Sequence, residues 1–344
     1  MSEWQEERRR RDQVRREEVM RLRVVPVRWH GVIGGLDGDV RVCASVGPAG
    51  EVVAVWTTAD GREAVTSTTV SAGGASFPDP VAARPVTARI TMHAPGLAAV
   101  IGVRELTLAH ITVQPMPGDR FLVAGARCRW RPDGPEPNAV LYDTSGQVVS
   151  AHVLGDGIGQ LLADSTGQVW AGYFDEGIYG NYGWGRADSP EPVGAYGIVR
   201  FTPALEPGWH LPKYTEIGPW GPISDCPALN VGDSCTWACY DSDYPVVRIR
   251  DDIVTGWDND IKGPGALAVA GSRVALFGGY GPDHDRLALT LLSADRAQLA
   301  GEYRIVLPGG EPLPAGTQVI GRGSRLHFLT GTSWYRLDMD DIPG

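Results

Sequence analysis

Lysine is nearly missing from this chain: Lys213 and Lys262 are the only two, so arginine carries almost all the positive charge. With abundant Ala and Gly, that scarcity reflects codon bias more than function. Long apolar runs are absent too. None approaches the roughly 18 residues a membrane-crossing helix needs, and the N-terminus is charged where a secretion signal would be apolar. A cytoplasmic protein with no membrane contact is expected. Also missing are a phosphate-binding loop, a Gly-x-Ser-x-Gly elbow and a His-Glu-x-x-His helix, which argues against the hydrolases and nucleotide enzymes built on them. The net charge of −10 argues against a general nucleic-acid surface, because phosphate binding draws on Lys and Arg. Cysteine is sparse. Cys43, Cys128, Cys226, Cys235 and Cys239 are odd in number and irregularly spaced, which reads as reduced core thiols and neither a disulfide framework nor a zinc site.

What the chain does have is turns. Its 45 Gly and 26 Pro are scattered singly, punctuating short runs of Val, Ile, Leu and aromatics from Arg23 onward, the signature of many short strands. Ahead of them, Ser2–Leu22 reads as one charged helix. Ser2 and Gln5 have capping-box spacing, and Glu6/Arg10, Glu7/Arg11, Asp12/Arg16 and Glu17/Arg21 stand four apart in the favourable order. Trp4, Val14, Val19, Met20 and Leu22 give it no wide apolar stripe, so it is expected to project from the body. From Arg23 on, no segment shows convincing helical period.

Two strand motifs recur in the same order. Trp170-Ala171-Gly172-Tyr173 is matched by Trp237-Ala238-Cys239-Tyr240 and, more weakly, by Phe277-Gly278-Gly279-Tyr280. Val199-Arg200-Phe201 leading to Gly208-Trp209 is matched by Val247-Arg248-Ile249 leading to Gly256-Trp257, and Tyr335-Arg336-Leu337 echoes it. A repeat of two motifs in order means a multi-strand module. The expectation is an all-β chain: a charged helix over 1–22 and a β-propeller of about six blades over 23–344. First strands should begin near Val40, Ile111, Ile158, Ile223, Ala266 and Gln318. The last blade shows only three strands, and Leu22–Trp29 is expected to supply the fourth and close the ring. Boundaries across Val65–His110 are blurred by Pro78, Pro80 and Pro85. The recurring Arg200, Arg248 and Arg336 read as structural, pairing across blades.

On these repeats the chain resembles the WD40 and NHL-like propeller superfold of bacterial repeat proteins, without the Trp-Asp and Gly-His pairs of true WD40 repeats. The segments 167–177 and 223–231 are similar to an uncharacterised bacterial group. Such a resemblance implies a fold and no activity.

In a propeller the loops between second and third strands emerge on one face with the loops between blades. That register gathers Asp156, Asp175, Glu176, Asp225, Asp241, Asp243, Asp258, Asp260, Asp283, His284 and Asp285. Acids so grouped suit Ca²⁺, the one cofactor considered, or acid/base work, and they also suit plain turns. The long loop Gly177–Gly197 brings Tyr179, Asn181, Tyr182, Trp184, Arg186 and Tyr196, either as a stacking platform or as a lid packed on its neighbours. Ligand contacts are therefore expected from Tyr179, Tyr182, Trp184, Arg186, Asp241, Asp243, Asp283, His284 and Asp285. A protein partner or an acidic surface, nucleic acid included, is expected at the helix through Trp4, Arg8, Arg11 and Arg15. Two readings stay open: a non-catalytic binding scaffold, or a metal-assisted or acid/base hydrolase or lyase at the acidic mouth.

Overall fold

Turn chemistry sets the strand lengths. Asp143–Gln147 and Asp164–Gln168 are the same device: the aspartate Oδ1 accepts from the backbone N–H two and four residues on, at 2.8–3.0 Å, and a glycine takes the left-handed position. At Gly146 (φ 79°) a Cβ would also lie 1.8 Å from the Gly102 carbonyl, so glycine is required twice over.

The computed structural model describes residues 3–212 and 220–343, and the chain is mostly β. Among the described residues the main strands group into six arrays of four, five of them from consecutive segments, and an Asn230–Gly321 bridge joins the fourth and the sixth into one eight-stranded sheet. Sheet I takes Val40–Val46, Val52–Thr57, Val81–His93 and Leu97–Leu108; sheet II takes Ile111–Met116, Arg120–Gly125, Ala139–Tyr142 and Val148–His152. Sheet III takes Ile158–Ala163, Val169–Tyr173, Ile198–Phe201 and Pro207–His210. Sheet IV takes Asp225–Val231, Thr236–Asp241, Val246–Arg250 and Ile253–Trp257. Sheet V takes Ala266–Ala270, Arg273–Phe277, Arg286–Leu292 and Ala297–Val306. In sheet VI, Gln318–Arg322, Arg325–Thr330 and Ser333–Asp338 are joined by Arg28–Val32 from the N-terminus.

By contact the chain falls into two compact units. A middle unit draws on Val32–Glu216 and Ile223–Cys226; a terminal unit draws on Met1–Gly31, Ile217–Pro222 and Pro227–Gly344. Each has cores between consecutive sheets. In the middle unit Val53, Ile90, Val113 and Phe121 fill the space between I and II, and Leu122, Leu161, Val169 and Phe201 that between II and III. In the terminal unit Ala228, Trp237, Leu267 and Leu276 lie between IV and V, and Ile305, Leu287, Phe328 and Leu337 between V and VI. Each unit also ties its first strands together with one buried amide. Gln114 of sheet II donates to Ser45 of sheet I and accepts from Ala163 N–H of sheet III. Asn230 of sheet IV donates to Leu267 O of sheet V and Gly323 O beyond sheet VI's first strand, and accepts from Gly323 N–H.

Several expectations change. The stretch Leu22–Trp29 is not one strand: Arg23–Pro26 runs parallel to Ala297–Val306 as a fifth strand of sheet V, and the separate Arg28–Val32 borders sheet VI. A chain that leaves one sheet for the next within two residues cannot pair as one straight strand. Short helices do occur later, α2 over Ala59–Val65, capped by Thr58, and α3 over Asp175–Tyr179. Across Val65–His110 the chain makes a hairpin of Thr68–Val70 and Ser76–Pro78, and Pro85 sits at a register shift in Val81–His93, where it withholds no needed N–H. Arg200 and Arg248 each lie over aromatic rings of their own sheets. Arg200 lies over the rings of Trp170 and Trp209 at 5.5 and 6.0 Å, and Arg248 over Trp237 and Trp257 at 5.7 and 5.6 Å.

Helix α1 spans Glu3–Arg21; Ser2, its expected cap, lies outside the described residues. It does not project along its whole length. Val19 is fully buried, and Arg15 and Arg16 are half-buried against sheet V and the turn before its third strand, while Trp4–Val14 is exposed.

Candidate functional site

In the middle unit the acids expected to cluster do meet, but on an arginine. Arg127, on the connection between the second and third strands of sheet II, is 1 % exposed. Its Nε and Nη2 donate to the two oxygens of Asp156 at 2.9 Å each, its Nη1 donates to Glu176, and Cys128 N–H donates to Asp156 at 2.8 Å. Burial alone would lower the Arg127 pKa; the hydrogen bonds and charges of Asp156 and then Glu176 outweigh it and raise it. The guanidinium also lies 4.6 Å from the Tyr182 ring centroid and 5.4 Å from that of Phe174. This fork fastens the loop after Trp170 to the loop of sheet II.

The centre of that loop packs on its neighbours. Trp184 is buried and donates to Cys128 O at 2.9 Å, Tyr182 donates through its hydroxyl to Pro78 O at 2.7 Å, and Trp130 N–H donates to Tyr182 O at 3.0 Å. Tyr179 and Arg186 stay exposed. Between this loop and the hairpin of sheet I opens a cleft of about 270 Å³ lined by Thr69, Ser71, Phe77, Asp79, Arg129, Asn181 and Tyr182. A second cleft, of about 550 Å³ and mostly apolar, runs along the edge of sheet III between Pro192, Trp209 and His210, with Tyr196 and His210 stacked at 3.6 Å.

In the terminal unit Asp283 and Asp285, two of the expected acids, are held by arginines of α1. Arg15 reaches Asp283 at 2.9 Å and Glu302 at 3.0 Å, and Arg16 grips buried Asp285 with both nitrogens, at 2.5 and 2.9 Å. Arg286 adds a bond to Glu302 at 3.1 Å. His284 is exposed and turned to Gly281 O. Tyr244, buried and hydrogen-bonded to Tyr280 and Asp241, has its pKa raised, so it stays neutral; Asp243 is exposed. Among the described residues no three His, Cys, Asp or Glu side chains come together in a way that could hold a metal ion. None of the five cysteines is joined in a disulfide, and burial pushes the Cys128 thiol up to about 12, which leaves it unreactive. Arg129 and Asp79 went unnoticed in the sequence. The alternation of Arg127, Arg129 and Arg131 was the available signal.

No protein-family model matches the chain, and no curated protein matches it significantly. Solved structures do match. The chain is similar to AztD from Citrobacter koseri, with 13 % identity over 86 % of this chain and 82 % of that one and a TM-score of 0.41. It is similar to a luciferin-regenerating enzyme, with 12 % identity over 91 % of each chain and a TM-score of 0.41. A third likeness is to the extracellular domain of the putative one-component system BT4673 from B. thetaiotaomicron, with 10 % identity over 90 % of this chain and a TM-score of 0.39; this chain spans 40 % of that domain's length. At these scores none of the three bears on function.

Proposed function

We propose that the six arrays are the blades of one β-propeller, closed by Arg28–Val32, and that the protein is a non-catalytic binding scaffold whose ligand sits in the cleft between Phe77, Arg129 and Tyr182. The sheet order, the cores between consecutive sheets and the two buried amides support the propeller. One observation carries the binding reading: three inserted connections converge on a cleft with two aromatic residues, two hydroxyls and an amide, fastened from behind by the buried Arg127 fork. A site held rigid before binding loses less conformational entropy when the ligand arrives. Five cysteines outside any disulfide suit a reducing compartment.

The test is a melting-temperature screen of small metabolites, neutral and charged, on the full chain and on Phe77→Ala and Asn181→Ala. A compound that raises the melting temperature of the parent and of neither variant supports the reading, because binding to the folded state alone stabilises it by mass action. Stabilisation that survives both changes places the site elsewhere. Recovery of a chemically altered ligand makes the protein an enzyme.

A further inference from the structure

Three arginines alternate along 127–131, and only the middle one lacks a carboxylate. Arg127 is held by Asp156 and Glu176, and Arg131 bonds to Glu136 at 2.5 Å. Arg129 has its guanidinium 5.4 Å from the Tyr182 ring centroid, and no described carboxylate stands within ion-pair reach of it. Across the same cleft Asp79 accepts one hydrogen bond, from the Thr69 hydroxyl at 2.6 Å, and no described cation neutralises it. Both side chains are half-buried.

Taking a charge partly out of water costs free energy that an opposite charge normally offsets. Here one cation and one anion face a single cleft, and neither meets the other or any described group of opposite charge. Resting on the binding reading above, we infer that the cleft takes a zwitterion of α-amino-acid type. Its carboxylate lies on the planar fork of Arg129, which matches the two carboxylate oxygens, and its ammonium on the oxygen of Asp79 that Thr69 leaves open. The Ser71 hydroxyl and Asn181 amide serve the remaining polar atoms, and Phe77 gives the side chain an apolar wall.

The test is titration calorimetry of the full chain with a panel of L-amino acids, L-phenylalanine included. The strongest binder is then compared with its analogues lacking the amine or the carboxylate, which for phenylalanine are 3-phenylpropanoate and phenethylamine. Each analogue is expected to bind about tenfold or more weakly, the loss expected for one charge-assisted pair. Asp79→Asn should erase the preference over 3-phenylpropanoate, and Arg129→Gln the preference over phenethylamine. Because the analogue comparison uses the unaltered chain, a variant that fails to fold does not blunt it. Equal affinity for the amino acid and both analogues overturns the inference. So does a neutral compound that binds in a Phe77-dependent way where no amino acid binds; the binding reading then survives. If no compound of any charge binds the cleft, both fall.

Discussion

The two units share a frame and differ in what they hang on it. In the middle unit the connections between second and third strands hold structure of their own: α2 and a hairpin in 58–80, the Trp130–Arg131 and Gly134–Pro135 ribbon in 126–138, and α3 in 174–197. In the terminal unit the same connections, 242–245, 278–285 and 331–332, are short, and the extra chain is α1 and two N-terminal strands. One unit has elaborated its loops into a cleft, and the other has used its spare residues to complete sheets. The sharpest way to break this contrast is to remove what the terminal unit adds. Deleting residues 1–32 takes away Val25 and Val27, both buried, and leaves sheet VI with three strands and a bare edge. The expected loss is about 5 kcal/mol or more, from two buried valines at about 1.5–3 kcal/mol each plus unpaired backbone, which rivals the whole stability of a domain. Denaturant unfolding measures it. A truncated chain that unfolds like the full one would show that the N-terminal strands are ornamental.

Within the middle unit the corresponding weak point is the Arg127 fork. Asp156→Ala leaves a buried guanidinium with Glu176 alone and should lose about 3–5 kcal/mol in thermal or denaturant unfolding. Asp260→Ala in the terminal unit removes an exposed pair with Arg296 and should leave the melting temperature unchanged. Similar losses from both would mean that burial does not decide what an ion pair contributes here.

Local signals in the sequence located the strands and missed the meetings. First strands begin at Val40, Ile111, Ile158, Ala266 and Gln318 and within two residues of Ile223, because apolar alternation and turn residues act over a few positions. The short α2 and α3 escaped, since five to seven residues are too few to show a 3.6 period. The cleft escaped for another reason: that Arg129 and Asp79 are unpaired is a property of three loops brought together, and no single segment records it. Arg336 lies between. Its echo of Arg200 and Arg248 was legible, but its ring partners were not, because sheet VI puts His327 where the others put Trp170 and Trp237. His327 pairs with Arg336 across the sheet, and His30 lies 3.3 Å from Arg336 on the other side.

That exchange makes sheet VI the pH-sensitive copy of the motif. His327 is fully buried, accepts from Trp334 Nε1 at 3.1 Å, and has its pKa pushed down to about 3 by burial, then by Arg336, His30, Arg322 and Arg325. His30 is lowered by burial and by Arg336 and Arg325, against the opposing charge of Asp338. With folded pKa values below the unfolded 6.5, the unfolded chain binds more protons as pH falls. The stabilisation is full above pH 6.5 and is lost progressively below it, towards pH 3. For His327 that amounts to about 2 kcal/mol between pH 7 and pH 5. His327→Phe should flatten the fall in unfolding free energy across that interval relative to the parent. An unchanged slope would assign the acid sensitivity to carboxylates instead.

The smallest effect is expected in α1, whose two halves differ as the units do. The second half is clasped: Arg16 holds Asp285, which is 1 % exposed, and Arg15 bridges Asp283 and Glu302. Arg16→Ala strands a buried carboxylate and should lose about 1–2 kcal/mol in denaturant unfolding, since the partner left behind is desolvated without compensation. The first half touches little. Trp4 is 60 % exposed, and the Arg8–Asp12 pair stands 4.0 Å apart in water. Deleting residues 1–12 should leave the melting temperature unchanged while removing Trp4, Arg8 and Arg11, the side chains open to an acidic partner. If that truncation lowers the melting temperature as much as Arg16→Ala does, the exposed half also stabilises the folded state, and it cannot be read as an arm left free for another molecule.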